Sequence, residues 1–301
     1  MINILCTSKP GDGLLCYSYE HCCFLNSIGI ESQLVIITHK NFSKENYIAS
    51  LRLKYRFVKI RLSFNEEVLY TLEPNDIALV MGRSMITLPY LSQKDYRYDQ
   101  MFALHKILGG KVISVYSENH PKDYYKALTF FKPKVIKDLC DFDVYPNGVG
   151  VQYEKMINFE EYANVREDIQ YEYLFLGTNE IYYNEVMKHI DNYKSHGILT
   201  YNALTEKYIN SKYNNIYSPV INLLGKFKKY VYTKTYFDPA PRLLQEFKWL
   251  GKDVIYLRDK NIKDGGPVYM NRPVPTKQLY SDNINILVSM IKAINEKNII
   301  S

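Results

Sequence analysis

The chain has 301 residues, 47% of them hydrophobic, enough to bury the core of one large domain or of two medium ones. Its formal charge of +6 and pI of about 8.8 are a modest excess, spread along the chain, that permits contact with phosphates, nucleic acid or an anionic membrane surface without demanding it. No run of about 18 apolar residues is present, so no membrane span is expected, and the five cysteines lack the spaced pairs of a disulfide framework or a zinc site.

The N-terminus runs directly into a strand-like segment without a basic start and apolar stretch, so no signal peptide is expected and the protein is expected to be cytoplasmic. Cys6, Cys16, Cys22, Cys23 and Cys140 then read as core thiols of a reducing compartment. The 29 tyrosines suit sugar and base surfaces, but they also match a composition rich in Asn, Ile and Lys. The apolar run over 2–6 predicts a buried strand, and Lys9-Pro10-Gly11-Asp12-Gly13 a loop. A helix follows over 14–28, closed by Gly29. Further strands are predicted over 33–38, 57–62, 77–81, 111–116 and 134–136, with a helix over 98–108 ended by Gly109-Gly110.

The pattern restarts after a polar, charged stretch over 158–170, read as a linker or a bridging helix. A strand over 173–176 leads into Gly177-Thr178-Asn179 and a helix over 181–190. Strands over 197–200 and 230–232 follow, then a helix over 241–250 stopped by Gly251, and a strand over 253–257. The last helix, over 284–294, follows a cap-like Ser281. Strand and helix in alternation predict parallel sheets covered on both faces. The fold class is therefore α/β, with two Rossmann-like doubly wound domains facing a cleft, and ligands at the carboxyl ends of strands. The boundaries are 1–157 for an N-terminal Rossmann-like domain, 158–280 for a C-terminal one, and 281–301 for a helix packing back toward the N-terminal domain.

The most informative stretch is 229–257, which reads as strand, loop, helix, glycine stop and strand. Asp238 stands in the loop, Pro239 and Pro241 at the helix entry, and Glu246 farther along the helix. Free amides at such a helix start hold phosphates. A carboxylate deeper in the helix can accept two hydrogen bonds from a ribose diol. Asp238 and Glu246, separated by seven positions, resemble the donor-site signature of the large retaining GT-B glycosyltransferase family, the group 1 type. In that family the first acid contacts the transferred sugar and the second the nucleotide ribose. This chain departs by having Asp in place of the family's Glu, and by the bulky Phe247, Lys248 and Trp249 where the family has small residues.

Two shorter segments are similar to the same family. Pro146-Asn147-Gly148-Val149 resembles the turn that ends the N-terminal domain, and the Lys9, Gly11, Asp12, Gly13 loop resembles the one that borders acceptor and donor phosphate. Either is equally well an ordinary tight turn. The family's Arg and Lys after the first strand of the donor half are missing from Gly177-Thr178-Asn179-Glu180. Lys226, Lys228, Lys234 and Arg242 are the substitutes available, or else solvated surface charges. His120 is the best match to the family's histidine near the end of a central strand, and Asp264-Gly265-Gly266 offers backbone amides to a ligand or forms a hairpin turn.

The resemblance implies an enzyme that takes sugar from a nucleotide-sugar co-substrate with retention, with no other cofactor and no bound metal. It implies a glycan or lipid-linked sugar as acceptor. The short, basic, Tyr-rich chain also resembles phage enzymes that glycosylate hydroxymethylated DNA bases. The rival readings are a non-catalytic nucleotide-binding or scaffold protein with a degenerate site, and a sugar epimerase of the same two-domain form. Composition does not define an oligomeric state.

Overall fold

The computed structural model describes residues 1–6, 13–38, 44–50, 59–64, 73, 75–81, 111–116, 134–138, 151–153, 162–177, 180–200, 203–205, 221–233, 242–257 and 276–297. The strands among them are β1 (Ile2–Cys6), β2 (Ser32–Thr38), β3 (Lys59–Phe64), β4 (Ile77–Met81), β5 (Val112–Tyr116), β6 (Lys134–Asp138), β7 (Val151–Tyr153), β8 (Tyr171–Leu176), β9 (His196–Thr200), β10 (Ala203–Thr205), β11 (Phe227–Tyr232) and β12 (Asp253–Tyr256). The helices are α1 (Gly13–Ser27), α2 (Lys44–Ser50), α3 (Glu180–Met187), α4 (Ile221–Leu224), α5 (Arg242–Trp249) and α6 (Lys277–Lys297). The chain forms two compact units, one of Met1–Lys44, Lys54–Ile157 and Thr276–Ser301, the other of Glu45–Leu53 and Asn158–Pro275.

The first unit holds a parallel sheet in the order β3-β2-β1-β4-β5-β6-β7. β1 and β4 are buried at every position, which is why both read as unbroken apolar runs rather than alternating ones. One polar side chain interrupts β1: Asn3 donates to Asp76 Oδ2 at 3.0 Å and accepts from Gln33 Nε2 at 2.6 Å. Asp76 Oδ2 also takes the Glu73 amide at 3.1 Å, so this buried network ties β1 and β2 to the turn that starts β4. α1 is buried at nearly every position from Leu15 to Leu25, as a helix enclosed on all sides must be. It ends as its glycine predicts: Gly29 has φ +81°, its amide bonds Asn26 O at 3.2 Å, and the next amide, of Ile30, reaches back to Leu25 O at 2.9 Å.

In the second unit the order is β10-β9-β8-β11-β12, parallel except for the β9–β10 pair. On one face Phe175, Ile198 and Val231 pack with Tyr183 and Val186 of α3 and with Ile190. The alternate positions of β11 turn to the other face, where the Tyr230 ring lies 5.3 Å from that of Phe247 on α5. Helix α5 closes like α1: Gly251 has φ +68°, with its amide on Lys248 O at 3.1 Å and that of Lys252 on Phe247 O at 2.9 Å.

Three expectations change. The stretch over 158–170 is not a bridging helix among its described residues: only 162–163 are helical, and from Asp168 the backbone runs along the next turn, with amides bonded to Gly225 O and Lys226 O at 2.9–3.1 Å. Ser281 is not a cap. It is exposed inside α6, which begins at Lys277 and buries the stripe Ile284, Leu287, Ile291 and Ile294. A helix already nucleated on that stripe extends through its polar first turn at little cost. β7, β10 and α4 are three to four residues long, too short to carry a period, and were not expected. The helix over 98–108 and the turn at Pro146-Asn147-Gly148-Val149 lie outside the described residues.

Candidate functional site

A doubly wound sheet binds ligands beyond the carboxyl ends of its strands, where the strand order reverses. In the second unit this point lies between β8 and β11. The chain leaves β8 through α3 toward β9 on one side, and leaves β11 through α5 toward β12 on the other. Gly177 follows β8 and Thr233 follows β11. Gly177 is demanded by packing: a Cβ there would stand 2.7 Å from Ile198 Cγ2 and 3.3 Å from Tyr183 Cδ2. It lets the β8 end lie flush against β9, with its amide on Leu199 O at 2.9 Å.

Helix α5 is the next described element after β11 and Thr233. Its first-turn amides have no partner within the helix and present a positive dipole end. Leu243, Leu244 and Phe247 form its apolar stripe. Arg242, Gln245 and Glu246, at i, i+3 and i+4, form a second stripe, and this polar one is buried too, at 5%, 4% and 0% exposure. Nε of Arg242 donates to Glu246 Oε1 at 2.6 Å. Nη2 of the same guanidinium donates to the hydroxyl of Tyr162 at 3.3 Å, and Tyr162 is itself buried. A cation at the first residue of a helix opposes the dipole; here the carboxylate one turn on compensates it. Gln245 Oε1 is buried with no hydrogen-bond partner among the described residues. Tyr256, ending β12, has its ring 5.6 Å from Tyr232, and burial pushes its phenol above the usual tyrosine range.

Of the residues singled out in the sequence, Arg242 and Glu246 come together here. Lys226 does not join them. It precedes β11, where its carbonyl takes the Gln170 and Tyr171 amides at 2.9 and 3.0 Å. That is the amino end of the strand, about 20 Å from Thr233 at the strand rise. Lys228 is exposed near the same end. Gly13 is the first residue of α1, in the other unit. Asp238, His120, Lys234, Pro241, Lys9, Gly11, Asp12, Asp264, Gly265 and Gly266 lie outside the described residues. Tyr162 and Gln245 were missed. The only sequence signal for Gln245 was its place beside Glu246 on a helix, and for Tyr162 there was none, since it precedes Arg242 by 80 positions.

Among the described residues no group of His, Cys, Asp and Glu is placed to hold a metal ion, and no helix is long and apolar enough to cross a membrane. Cys6, Cys16 and Cys22 are buried thiols. Burial pushes the Cys22 thiol up to about 12, against hydrogen bonds with Ser32 and Asn26 that act the other way.

No protein-family model matches the chain, and no curated protein matches it by sequence. Among solved structures it is similar to an alpha-glucosyltransferase (AGT) in complex with UDP, at 10% identity and a TM-score of 0.51, over 98% of this chain and 93% of that one. It also matches a protein from Listeria monocytogenes described as a UDP-N-acetylglucosamine 2-epimerase, at 8% identity and a TM-score of 0.42, over 97% and 90%. The first likeness establishes the fold, two parallel-sheet Rossmann-like domains of the GT-B kind; the second is too distant to bear an argument.

Proposed function

We propose that this chain is a glycosyltransferase that moves a sugar from a nucleotide-sugar donor to an acceptor hydroxyl with retention of configuration. The observation that carries the reading is the likeness of fold, over 98% of the chain, to a glucosyltransferase structure holding UDP. The second unit supports it, because α5, which carries Glu246, follows β11, one of the two strands that flank the switch point of its sheet.

In this reading the donor nucleoside lies at that switch point, the α5 amides meet the diphosphate, and Glu246 accepts from the ribose hydroxyls. Glu246 is fully buried, so the atoms covering it must yield to the ribose. Asp238 contacts the transferred sugar. The bond from the anomeric carbon to the phosphate oxygen breaks, and the bond to the acceptor oxygen forms on the same face. The departing phosphate oxygen takes the acceptor proton, so no protein nucleophile is needed. Amides preorganised at the diphosphate stabilise the charge that grows there. The acceptor is a glycan or lipid-linked sugar, or a hydroxymethylated DNA base; the latter would have to flip out of its stack and bind with a steep salt dependence.

The test is turnover of UDP-, GDP-, ADP- and CDP-sugars, with glycans or hydroxymethylated oligonucleotides present, read by mass spectrometry of both products. Nucleoside diphosphate release matched by one added sugar on an acceptor is the expected result. Free sugar released without any acceptor would instead indicate an epimerase or hydrolase, and neither binding nor turnover of any donor would overturn the reading altogether.

A further inference from the structure

We propose that Arg242 is a positioning residue for the ribose-binding carboxylate of Glu246 rather than a phosphate ligand, and that the Tyr162 hydroxyl holds it in that role; this rests on the donor reading above. Arg242 is the cation nearest the α5 start among the described residues singled out in the sequence, and a helix start with a nearby arginine suggests a diphosphate clamp. The geometry points elsewhere.

Among the described residues the guanidinium reaches Glu246 Oε1 through Nε at 2.6 Å and the Tyr162 hydroxyl through Nη2 at 3.3 Å. All three side chains are buried. The charge of Arg242 is compensated within its own helix, so little of it is left to attract a second anion. What the pair supplies is orientation, because a carboxylate with one oxygen held by a rigid donor has its plane set before a ligand arrives. A lysine could not reproduce this, since its ammonium is a point charge without the guanidinium's fixed fork.

Tyr162 adds a mechanical element. It lies on the segment that runs into β8, and this segment is pinned to the turn before β11 by the Asp168 and Gln170 amides on Gly225 O and Lys226 O. Within the second unit, Arg242 therefore links the start of α5, which follows β11, to the segment that leads into β8, and β8 and β11 are the strands that flank the switch point. Phosphate charge would then be met by the α5 amides and ribose by the oriented carboxylate.

Calorimetry on the full chain separates the roles. The probe is whichever of UDP, GDP, ADP and CDP binds most tightly, compared with its 2′,3′-dideoxy form and with its monophosphate. Wild type is expected to prefer the ribose form by about tenfold or more, the usual reach of hydrogen bonds to a charged acceptor. Arg242→Lys should collapse that ribose preference while leaving the diphosphate-over-monophosphate preference unchanged. Tyr162→Phe should lower it part of the way, and carries the test if Arg242→Lys does not fold. The proposal is overturned if Arg242→Lys lowers the diphosphate preference and spares the ribose preference, which would make it a phosphate ligand. It is overturned equally if neither preference moves, which would make the pair structural. A wild-type protein that binds nucleoside diphosphates without ribose preference sinks the positioning role but not the donor reading, whereas one that binds none sinks both.

Discussion

Arg242 and Glu246 form an ion pair at 2.6 Å within one helix, four residues apart, with side chains 4% and 0% exposed. An exposed pair of this spacing contributes a few tenths of a kcal/mol, but a buried one is set by desolvation. Breaking it leaves a buried charge without its partner in the helix.

Arg242→Met is therefore expected to destabilise the protein by about 3–5 kcal/mol. Joining it to Glu246→Leu should recover much of that loss, because no lone charge then remains buried. Denaturant unfolding of wild type, both single variants and the double variant gives the coupling. Additive losses would show that the two side chains do not depend on each other.

Two carboxylates of the donor segment should separate by kinetics. Glu246→Gln is expected to weaken nucleoside diphosphate binding by about 1.5–3 kcal/mol, while Glu172→Ala, at a half-buried partner of Lys229 on β8, leaves it unchanged. Asp238→Asn should lower kcat and kcat/KM together and spare diphosphate affinity, as expected of a contact made mainly in the transition state. Asp238→Glu, which restores the family's residue, should keep activity. Loss of diphosphate binding in Asp238→Asn would show that the residue holds the nucleotide, not the sugar.

The glycines of the second unit should rank by what surrounds them. At Gly225 an added Cβ would lie 2.0 Å from the backbone oxygen of Arg166, which has no side-chain freedom to move away. At Gly251 the space is open, and the penalty is only the left-handed φ of +68°, about 1–2 kcal/mol for an L-residue. Gly225→Ala is expected to be the more destabilising by thermal unfolding, with Gly177→Ala between them, since there the clash is with the side chain of Ile198. Equal melting temperatures for Gly225→Ala and Gly251→Ala would contradict this packing.

The Cys22 thiol, pushed up to about 12 by burial from its ordinary value of 9.0, keeps its proton in the fold across a range where the unfolded chain releases it. The unfolded state then binds fewer protons, so stability falls as pH rises. The contribution is fully present below pH about 9 and is lost as pH approaches about 12, with a slope near 1.4 kcal/mol per unit. Cys22→Ala should flatten this alkaline limb relative to wild type. Alkylation at pH 8 should spare Cys22 in the native protein and modify it in denaturant; rapid native labelling would show that the thiol is not held in the core.

Much of the fold was legible because its signals are local. The short apolar runs at Ile2–Cys6 and Ile77–Met81, bounded by turn signals, read as strands, and their boundaries match the structure. Gly29 and Gly251 close their helices at the predicted places, because a left-handed residue ends a helix whatever lies around it. Ser281 misled because its cap signal is a local preference worth about 1 kcal/mol, and the stripe it precedes belongs to a longer helix.

The site was legible only as a segment. The order strand, loop, helix, glycine, strand over 229–257 was written in residue types, and so was the spacing of Arg242 and Glu246. That spacing predicts a pair but not its surroundings, and the same residues on a solvated face would be ordinary surface charges. Chain order sets Lys226 ahead of β11 and Arg242 after it, but only the sheet order showed that β11 flanks the switch point, where the carboxyl end of the strand and not its amino end matters. Tertiary structure alone decided that the polar stripe of α5 is buried, because burial depends on what packs against a helix. One of those groups, Tyr162, arrives from 80 residues away, where no periodicity or propensity reaches.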